Sequence, residues 1–210
     1  VTQGQYAVAI GANAAQTNQG MYSVAIGNYA AQSAQDQYAI SIGALAARIS
    51  QGRNAIALGV QAGDNVQQSA AIAIGLYAGQ GTQGTNAIAI GIQAGQSLQG
   101  TNAIAIGFQA GGSAQQSGGI SIGYQTGFFS QGGDAVAIGN KAGQTAQGIN
   151  SVAIGTLAGS TNQGQYAVSV GREAGTTYQT QYAVAVGYQA GQSTQGQGAV
   201  AIGYRAGQYT

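Results

Sequence analysis

Residues 87–91 read AIAIG, and the motif returns as AIAIG at residues 103–107 and as AVAIG at residues 135–139. Its last residue recurs at every sixteenth position from Gly11 to Gly203, in thirteen copies without an insertion or deletion. A fixed period that runs through a whole chain is typical of a solenoid, in which each repeat is one turn of the backbone. We therefore expect a single repeat domain that covers residues 1–210.

Aliphatic residues stand at two fixed places before each of these glycines. The third residue before the glycine is always Val or Ile, and the residue directly before it is Ile, Val or, once, Leu58. A separation of two residues is the period of a β-strand. We expect these side chains to fill the inside of each coil. The predicted core includes Val8, Ile10, Val24, Ile26, Ile88, Ile90, Ile104, Ile106, Val136 and Ile138.

Very small residues alternate with the aliphatic ones. The second and fourth residues before the glycine are Ala, Ser or, once, Gly119. Two aliphatic side chains per coil bury too little apolar surface to offset the entropy of ordering sixteen residues. We therefore expect self-association along this flat face, which another sheet could approach closely. The predicted self-association face includes Ala9, Ala25, Ala57, Ala73, Ala89, Ala105, Ala137 and Ala153.

The repeated glycine marks a corner, because a residue without Cβ adopts positive φ at little cost. A second pair of small residues, Ala followed by Ala or Gly, stands three and four residues later in nearly every repeat and indicates a second corner. Two strand segments and two corners fill sixteen residues. The predicted fold is an all-β parallel β-solenoid of thirteen coils. The predicted corner glycines include Gly11, Gly27, Gly91, Gly107 and Gly139.

Glutamine occupies the eighth position after the glycine in every complete repeat. A primary amide carries both a donor and an acceptor, so stacked copies can bond to the coil above and the coil below. We predict a glutamine ladder along the solenoid. Its members are Gln19, Gln35, Gln51, Gln67, Gln83, Gln99, Gln115, Gln131, Gln147, Gln163, Gln179 and Gln195.

The composition argues against catalysis. Charged residues make up 4% of the chain, and His and Cys are absent, so acid–base pairs, nucleophile triads and zinc sites lack their parts. We expect no enzyme activity, no metal and no cofactor. A net charge of +1 predicts no nucleic-acid partner, and the longest apolar run is too short to insert into a membrane.

Aromatic residues are the remaining candidates for a contact with a ligand. Tyrosine recurs just ahead of the predicted strand, as in Tyr6, Tyr22 and Tyr182, where it either packs structurally or forms a surface for glycan or protein ligands. A cluster in adjacent repeats is the expected exposed apolar patch, and such patches mark contacts. This possible ligand contact comprises Phe108, Tyr124, Phe128 and Phe129.

Residues 86–94, NAIAIGIQA, and residues 150–158, NSVAIGTLA, resemble the head repeats of trimeric autotransporter adhesins of the YadA type. Related repeats occur in phage and virus fibres. The resemblance implies a left-handed β-roll, three chains side by side as a homotrimer, and attachment to a host surface or matrix ligand. It also implies an extracellular place on a cell or virion surface.

Three function classes follow. We favour an adhesive or spacer segment of a surface fibre. The second class is a self-polymerising, amyloid-like extracellular filament, which scarce charge, absence of Pro and glutamine ladders would suit. The third is an ice-binding solenoid with an outward ladder of Thr and Ser, although Ile49, Gly81 and Phe129 interrupt that ladder.

Overall fold

The computed structural model describes residues 3–209, which divide into two compact units at Ala103 and Ile104. Within the described residues every regular element is a β-strand and none is a helix. All strand pairs are parallel and join residues sixteen positions apart, such as Val24 and Ile40. The prediction of an all-β parallel β-solenoid is therefore confirmed, whereas its left-handed winding and its single-domain organisation stay predictions.

The first unit contains two sheets of very short strands. Three-residue strands that end just before the repeated glycine form one sheet in the order β1-β2-β4-β6-β8-β10, and two-residue strands that end on the ladder glutamine form the other in the order β11-β9-β7-β5-β3. The strands are β1 (Val8–Ile10), β2 (Val24–Ile26), β3 (Ala34–Gln35), β4 (Ile40–Ile42), β5 (Ser50–Gln51), β6 (Ile56–Leu58), β7 (Val66–Gln67), β8 (Ile72–Ile74), β9 (Thr82–Gln83), β10 (Ile88–Ile90) and β11 (Leu98–Gln99).

The second unit repeats this plan. Its longer sheet runs in the order β12-β14-β15-β17-β19-β20-β21, while the glutamine side is reduced to the pair β16-β18, strand β13 and isolated bridges such as Gln179 with Gln195. The strands are β12 (Ile104–Ile106), β13 (Ala114–Gln115), β14 (Ile120–Ile122), β15 (Val136–Ile138), β16 (Thr145–Gln147), β17 (Val152–Ile154), β18 (Thr161–Gln163), β19 (Val168–Val170), β20 (Val184–Val186) and β21 (Val200–Ile202).

The structure exchanges the two faces that the sequence analysis assigned to each strand. The predicted self-association alanines Ala25, Ala57, Ala73, Ala89, Ala105, Ala137 and Ala153 are completely buried inside their coils, and Ala9 alone of that set is exposed. The predicted core residues Val8, Ile10, Val24, Ile26, Ile88, Ile90, Ile104, Ile106, Val136 and Ile138 are half-buried or exposed. Both assignments were therefore wrong.

The reason for the exchange is the width of the coil. Alanines from the strand and from the second corner meet inside it, as in the cluster of Ala137, Ala142, Ala153 and Ala158. The largest fully buried side chains are glutamines such as Gln67 and Gln83. The amide of each glutamine crosses the interior to the facing strand, so the remaining space admits a methyl group but not Ile or Val.

The corner glycines keep consecutive coils in close contact. Gly27 has a φ of +133°, and a Cβ built on it would lie 2.5 Å from the carbonyl oxygen of Gly43 in the next coil. Gly11, Gly91, Gly107 and Gly139 share this conformation, with φ between +122° and +136°. Any side chain at this position would push the coils apart.

Candidate functional site

The glutamine column runs through the interior of each unit. Gln35 Nε2 donates to Gln51 Oε1 over 3.1 Å, and Gln51 Nε2 donates to Gln67 Oε1 over the same distance. In the second unit Gln115 donates to Gln131 over 2.9 Å, and Gln179 donates to Gln195 over 3.1 Å. These amides are at most 4% exposed, so the ladder lies inside the solenoid and is not available to a ligand.

Each ladder amide also holds the two sheets together. Gln51 Nε2 donates to the backbone carbonyl of Ile40 over 2.8 Å and to that of Ala55 over 3.2 Å. The first of these bonds, to the residue eleven positions earlier, recurs in all twelve ladder glutamines, at 2.7 to 2.9 Å. A buried polar side chain needs such partners, and here the partners are the inner carbonyls of the strand.

Serine reinforces the ladder where it replaces a buried alanine in the middle of a strand. The hydroxyl of Ser41 donates to Gln51 Oε1 over 2.6 Å, and Ser169 donates to Gln179 Oε1 over 2.6 Å. Ser121 does the same with Gln131 over 2.8 Å. Ser and Ala are therefore not equivalent at this position, because each serine supplies a second hydrogen-bond donor to the amide oxygen of the ladder glutamine.

A second set of amide ladders on the outside of the coils was missed by the sequence analysis. Gln32 donates to Gln16 over 2.9 Å, Gln96 to Gln80 over 3.2 Å, and Gln125 to Gln109 over 2.7 Å. The signal was available in the sequence, because Gln recurs five residues after the repeated glycine at Gln16, Gln32, Gln80 and Gln96, and two residues after it at Gln109 and Gln125. These amide pairs tie one coil to the next on either side of the second corner.

The aliphatic face, defined as the residues one and three positions before each repeated glycine, points outward from the long sheet of each unit. Its side chains are stacked in register, as Val136 with Val152 and Ile138 with Ile154. Leu58 is 42% exposed, and Ile138 and Ile154 are 36% and 38% exposed. Continuous columns of aliphatic side chains on a surface mark a site of contact with another molecule.

Further apolar residues border this face directly after the corner glycine. In the first unit Val60, Leu76 and Ile92 occupy this place in three successive coils, each between 39% and 47% exposed. In the second unit Phe108 and Tyr124 occupy the same place, and their rings stack with centroids 5.3 Å apart. The apolar surface of each unit is thus wider than the strand itself.

The four aromatic residues predicted as a ligand contact form two pairs. Phe108 stacks on Tyr124, while Phe128 meets Phe129 edge to face with centroids 4.6 Å apart. Within residues 3–209 no ring contact joins one pair to the other. Phe108, Tyr124 and Phe129 are 39%, 45% and 54% exposed, which leaves much of each ring open to solvent.

Tyrosines also stack in the turn that precedes the long-sheet strands. The rings of Tyr6, Tyr22 and Tyr38 lie 5.2 and 5.3 Å apart, and those of Tyr166 and Tyr182 lie 5.2 Å apart. All five have positive φ between 56° and 63°. These rings are about half exposed or more, so they form aromatic columns on the surface.

The charged residues lie singly or as local pairs. Arg48 Nε lies 3.0 Å from Oδ1 of the buried Asp64, and Arg48 Nη2 donates to Oδ2 of the same carboxylate over 3.5 Å. Burial raises the pKa of Asp64, and the charge of Arg48 offsets part of this effect. Hydrogen bonding from Gln189 holds the pKa of Glu173 below its usual value, with Arg172 adding to the effect. Both carboxylates are accounted for by structural contacts.

The described residues were predicted to hold neither a metal ion nor a membrane span. No group of three or more His, Cys, Asp or Glu side chains within residues 3–209 is arranged to hold a metal ion. Over the same residues, no helix has the length and apolar character needed to cross a membrane.

Comparison with known proteins agrees with the resemblance seen in the motif. Residues 3–30, 130–158 and 146–174 match the YadA head domain repeat family. The matched segments lie in both units and include strands β1, β2, β15, β17 and β19. A search of curated proteins finds no match to the chain. Over these segments the family match confirms the predicted YadA-type head repeats.

Proposed function

We propose that this chain, whose coils are YadA-type head repeats, is a rigid segment of an adhesive surface fibre in which three copies pack side by side along the aliphatic face. The observation that carries the proposal is the outward stacking of Val, Ile and Leu on every strand of the long sheet. Ile138 and Ile154 remain more than one third exposed although each lies in the middle of its unit's sheet. Covering these columns would remove a continuous apolar surface from water.

The alanine face plays no part in this assembly, because it is already the interior of the coil. Association along the aliphatic face supplies what the narrow interior lacks, since methyl groups bury little apolar area. The trimer is supported by the resemblance to trimeric adhesins. A fibre of this kind belongs on a cell or virion surface, where its coils space and present a contact for a host or matrix ligand.

The mass of the chain in solution tests the assembly. We expect three times the chain mass of 20.6 kDa by light scattering, independent of concentration above the dissociation constant. Ile72→Lys with Ile74→Lys places two charges on the aliphatic face and is expected to give a folded single chain. Leu98→Lys, on the outward side of the short sheet and 54% exposed, is the matched control and should leave the trimer intact.

Other results would contradict the proposal in different ways. A single-chain mass for the unaltered protein, or an unchanged trimer in the double variant, would show that the chains do not associate through the aliphatic face. A mass that rises without limit with concentration would favour the filament alternative instead. The glutamine ladders that first suggested a filament lie inside the coils, where they pair with their own chain.

The aromatic pairs are the proposed place of the ligand contact. Beads coated with the chain should adhere to a surface of extracellular-matrix protein more than to albumin. Phe129→Ser removes a ring that is 54% exposed, and Tyr178→Ser removes one that is 55% exposed outside the two pairs. We expect Phe129→Ser to weaken adhesion and Tyr178→Ser to leave it unaltered. Equal effects of the two changes would exclude the aromatic pairs as the ligand contact.

A further inference from the structure

The stacked turn tyrosines have a chemical property that neither the fold nor the proposed assembly uses. Tyr166 and Tyr182 face each other with ring centroids 5.2 Å apart and planes inclined by 6°. In the first unit Tyr22 and Tyr38 are stacked at 5.3 Å with planes inclined by 2°. In nearly parallel stacked rings, the carbon atoms beside the hydroxyl of one ring lie next to the equivalent carbon atoms of the other ring. The two phenols of a pair are therefore positioned to react with each other.

The backbone fixes these pairs from coil to coil. The amide of Tyr182 donates to the carbonyl of Gln165 over 3.1 Å, and that of Tyr166 donates to the carbonyl of Ile149 over 3.0 Å. The outer edges of the two rings face solvent, because Tyr166 and Tyr182 are 46% and 52% exposed. Solvent and an oxidant can therefore reach both phenols, while rotation about the side-chain bonds lets the ring edges approach.

We propose that Tyr166–Tyr182, and Tyr22 with Tyr6 or Tyr38, are sites of oxidative dityrosine cross-linking within one chain. The oxidant is hydrogen peroxide acting through a haem peroxidase. Each phenol loses one electron and its hydroxyl proton, and the two hydrogen equivalents reduce one peroxide molecule to two water molecules. The two radicals couple through a carbon atom beside each hydroxyl, and the hydrogen on each coupled carbon returns to oxygen, which restores both phenols.

Two tyrosines outside the proposed pairs serve as internal controls for this reaction. Tyr124 stacks on Phe108, which has no hydroxyl and cannot supply a second phenoxyl radical. Tyr178 is 55% exposed and has no ring partner among the described residues. Accessibility alone would make Tyr178 as reactive as Tyr182, whereas the proposal assigns the bond to the stacked pair.

Cross-linking would staple one coil to the next. Tyr166 and Tyr182 are sixteen residues apart, so the bond closes a loop of one coil, and a cross-link of this kind stabilises the folded state by restricting the unfolded chain. This inference does not depend on the proposed trimer, because both rings belong to one chain. An oxidising environment would in this way stabilise the folded solenoid.

Trypsin provides a direct readout, since Arg172 lies between the two tyrosines. Cleavage after Lys141, Arg172 and Arg205 yields peptides 142–172 and 173–205, which contain Tyr166 and Tyr182 respectively. After treatment of the folded chain with hydrogen peroxide and a plant haem peroxidase, we expect these two peptides joined, with a mass two hydrogen atoms below their sum. The joined peptide should come from material that runs as a single chain of 20.6 kDa on a denaturing gel.

Two single substitutions decide the assignment. Tyr182→Phe keeps an aromatic stack but removes one phenol, and the joined peptide should disappear. Tyr178→Phe should leave its yield within twofold of the unaltered chain. On oxidation the urea midpoint of Tyr182→Phe should rise less than that of the unaltered chain or of Tyr178→Phe. A joined peptide that persists in Tyr182→Phe, or that arises only in covalent dimers, would overturn the proposal. The oxidation of Met21, which is 38% exposed, falls in another peptide and does not confuse the result.

Discussion

Gln163 and Gln179, sixteen residues apart, are joined inside the solenoid by a hydrogen bond of 3.2 Å from Nε2 of the first to Oε1 of the second. The same oxygen of Gln179 accepts the hydroxyl of Ser169, and its Nε2 donates to the carbonyls of Val168 and Ala183 at 2.9 and 3.1 Å. One side chain thus satisfies polar groups of its own coil and of its neighbour. The interior of this protein depends on amides as much as on apolar packing.

Replacing one ladder amide should therefore destabilise the fold strongly. Gln179→Leu keeps a similar size but removes the hydrogen bonds that the amide accepts from Gln163 and Ser169 and donates to Val168, Ala183 and Gln195. Each buried polar group that loses its partner costs about 1 to 3 kcal/mol. We expect the free energy of unfolding, measured by urea denaturation, to fall by about 3 kcal/mol or more. The exposed Gln165 gives the matched control, for which Gln165→Leu should stay within about 0.5 kcal/mol. Equal losses would show that the ladder is not what holds the coils.

The two faces of a strand should respond oppositely to added volume. Ala137 is completely buried against Ala142, Ala153 and Ala158, so Ala137→Leu overpacks the coil and should cost about 1 to 3 kcal/mol or more. Val136, the preceding residue, points outward, and Val136→Leu should have a smaller effect on the thermal unfolding of the chain. A larger loss at Val136 would reverse the assignment of inside and outside that the structure gives.

This reversal shows what the sequence could and could not predict. The sixteen-residue period and the alternation within the motif determine the coil length, the strand and the existence of two different faces. They do not determine which face lies inside, because that depends on the distance between the two sheets. The ladder glutamine is the residue that sets the distance, since its amide must reach the carbonyl of the facing strand, as Gln51 reaches Ile40.

The outer features were harder to predict for a different reason. Columns such as Gln16 with Gln32 and Gln109 with Gln125 are interrupted in other coils by different residues, so they do not produce a strict sixteen-residue period in the sequence. The contact of Arg48 with Asp64 likewise needs two charges in successive coils at one register position. Such pairs become visible only when the repeats are aligned on the corner glycine and read down each column.

Two glycines of one coil should differ sharply in their tolerance of alanine. Gly75, at the corner, has a φ of +126°, and a Cβ there would lie 2.8 Å from the carbonyl oxygen of Gly91. Gly79 has a φ of +53°, a conformation that Ala47 adopts at the equivalent place of an earlier coil. We expect Gly79→Ala to cost about 1 to 2 kcal/mol and Gly75→Ala to cost more than about 3 kcal/mol.

Urea denaturation of the two variants under identical conditions measures this difference. The Cβ of alanine at position 79 would meet the side-chain oxygen of Gln83 at 2.8 Å, and that side chain can shift. At position 75 the obstacle is backbone, which can move only if the coils separate. A smaller loss for Gly75→Ala than for Gly79→Ala would contradict the close stacking of the corners.

The buried Asp64 should give the chain a pH-dependent contribution to stability. Its pKa is raised above the usual 3.8, chiefly by burial, although Arg48 lies beside it. Because the folded state binds this proton more readily than the unfolded state, the resulting stabilisation is fully present below the ordinary pKa and is lost as pH rises through the folded-state pKa. Relative to Asp64→Asn, the unaltered chain should gain free energy of unfolding as the pH falls from 7 towards 4.

Glu173 supplies a control of opposite sign. Its pKa is lowered, first by the hydrogen bond from Gln189 at 2.7 Å, so its contribution is present above the ordinary pKa and is lost as pH falls through the folded-state pKa. Relative to Glu173→Gln, the unaltered chain should therefore lose free energy of unfolding as the medium becomes acidic. Urea denaturation of the three chains between pH 7 and pH 4 should give difference curves with opposite slopes. Parallel slopes would mean that burial does not govern the proton affinity of Asp64, and that the charge of Arg48 dominates it instead.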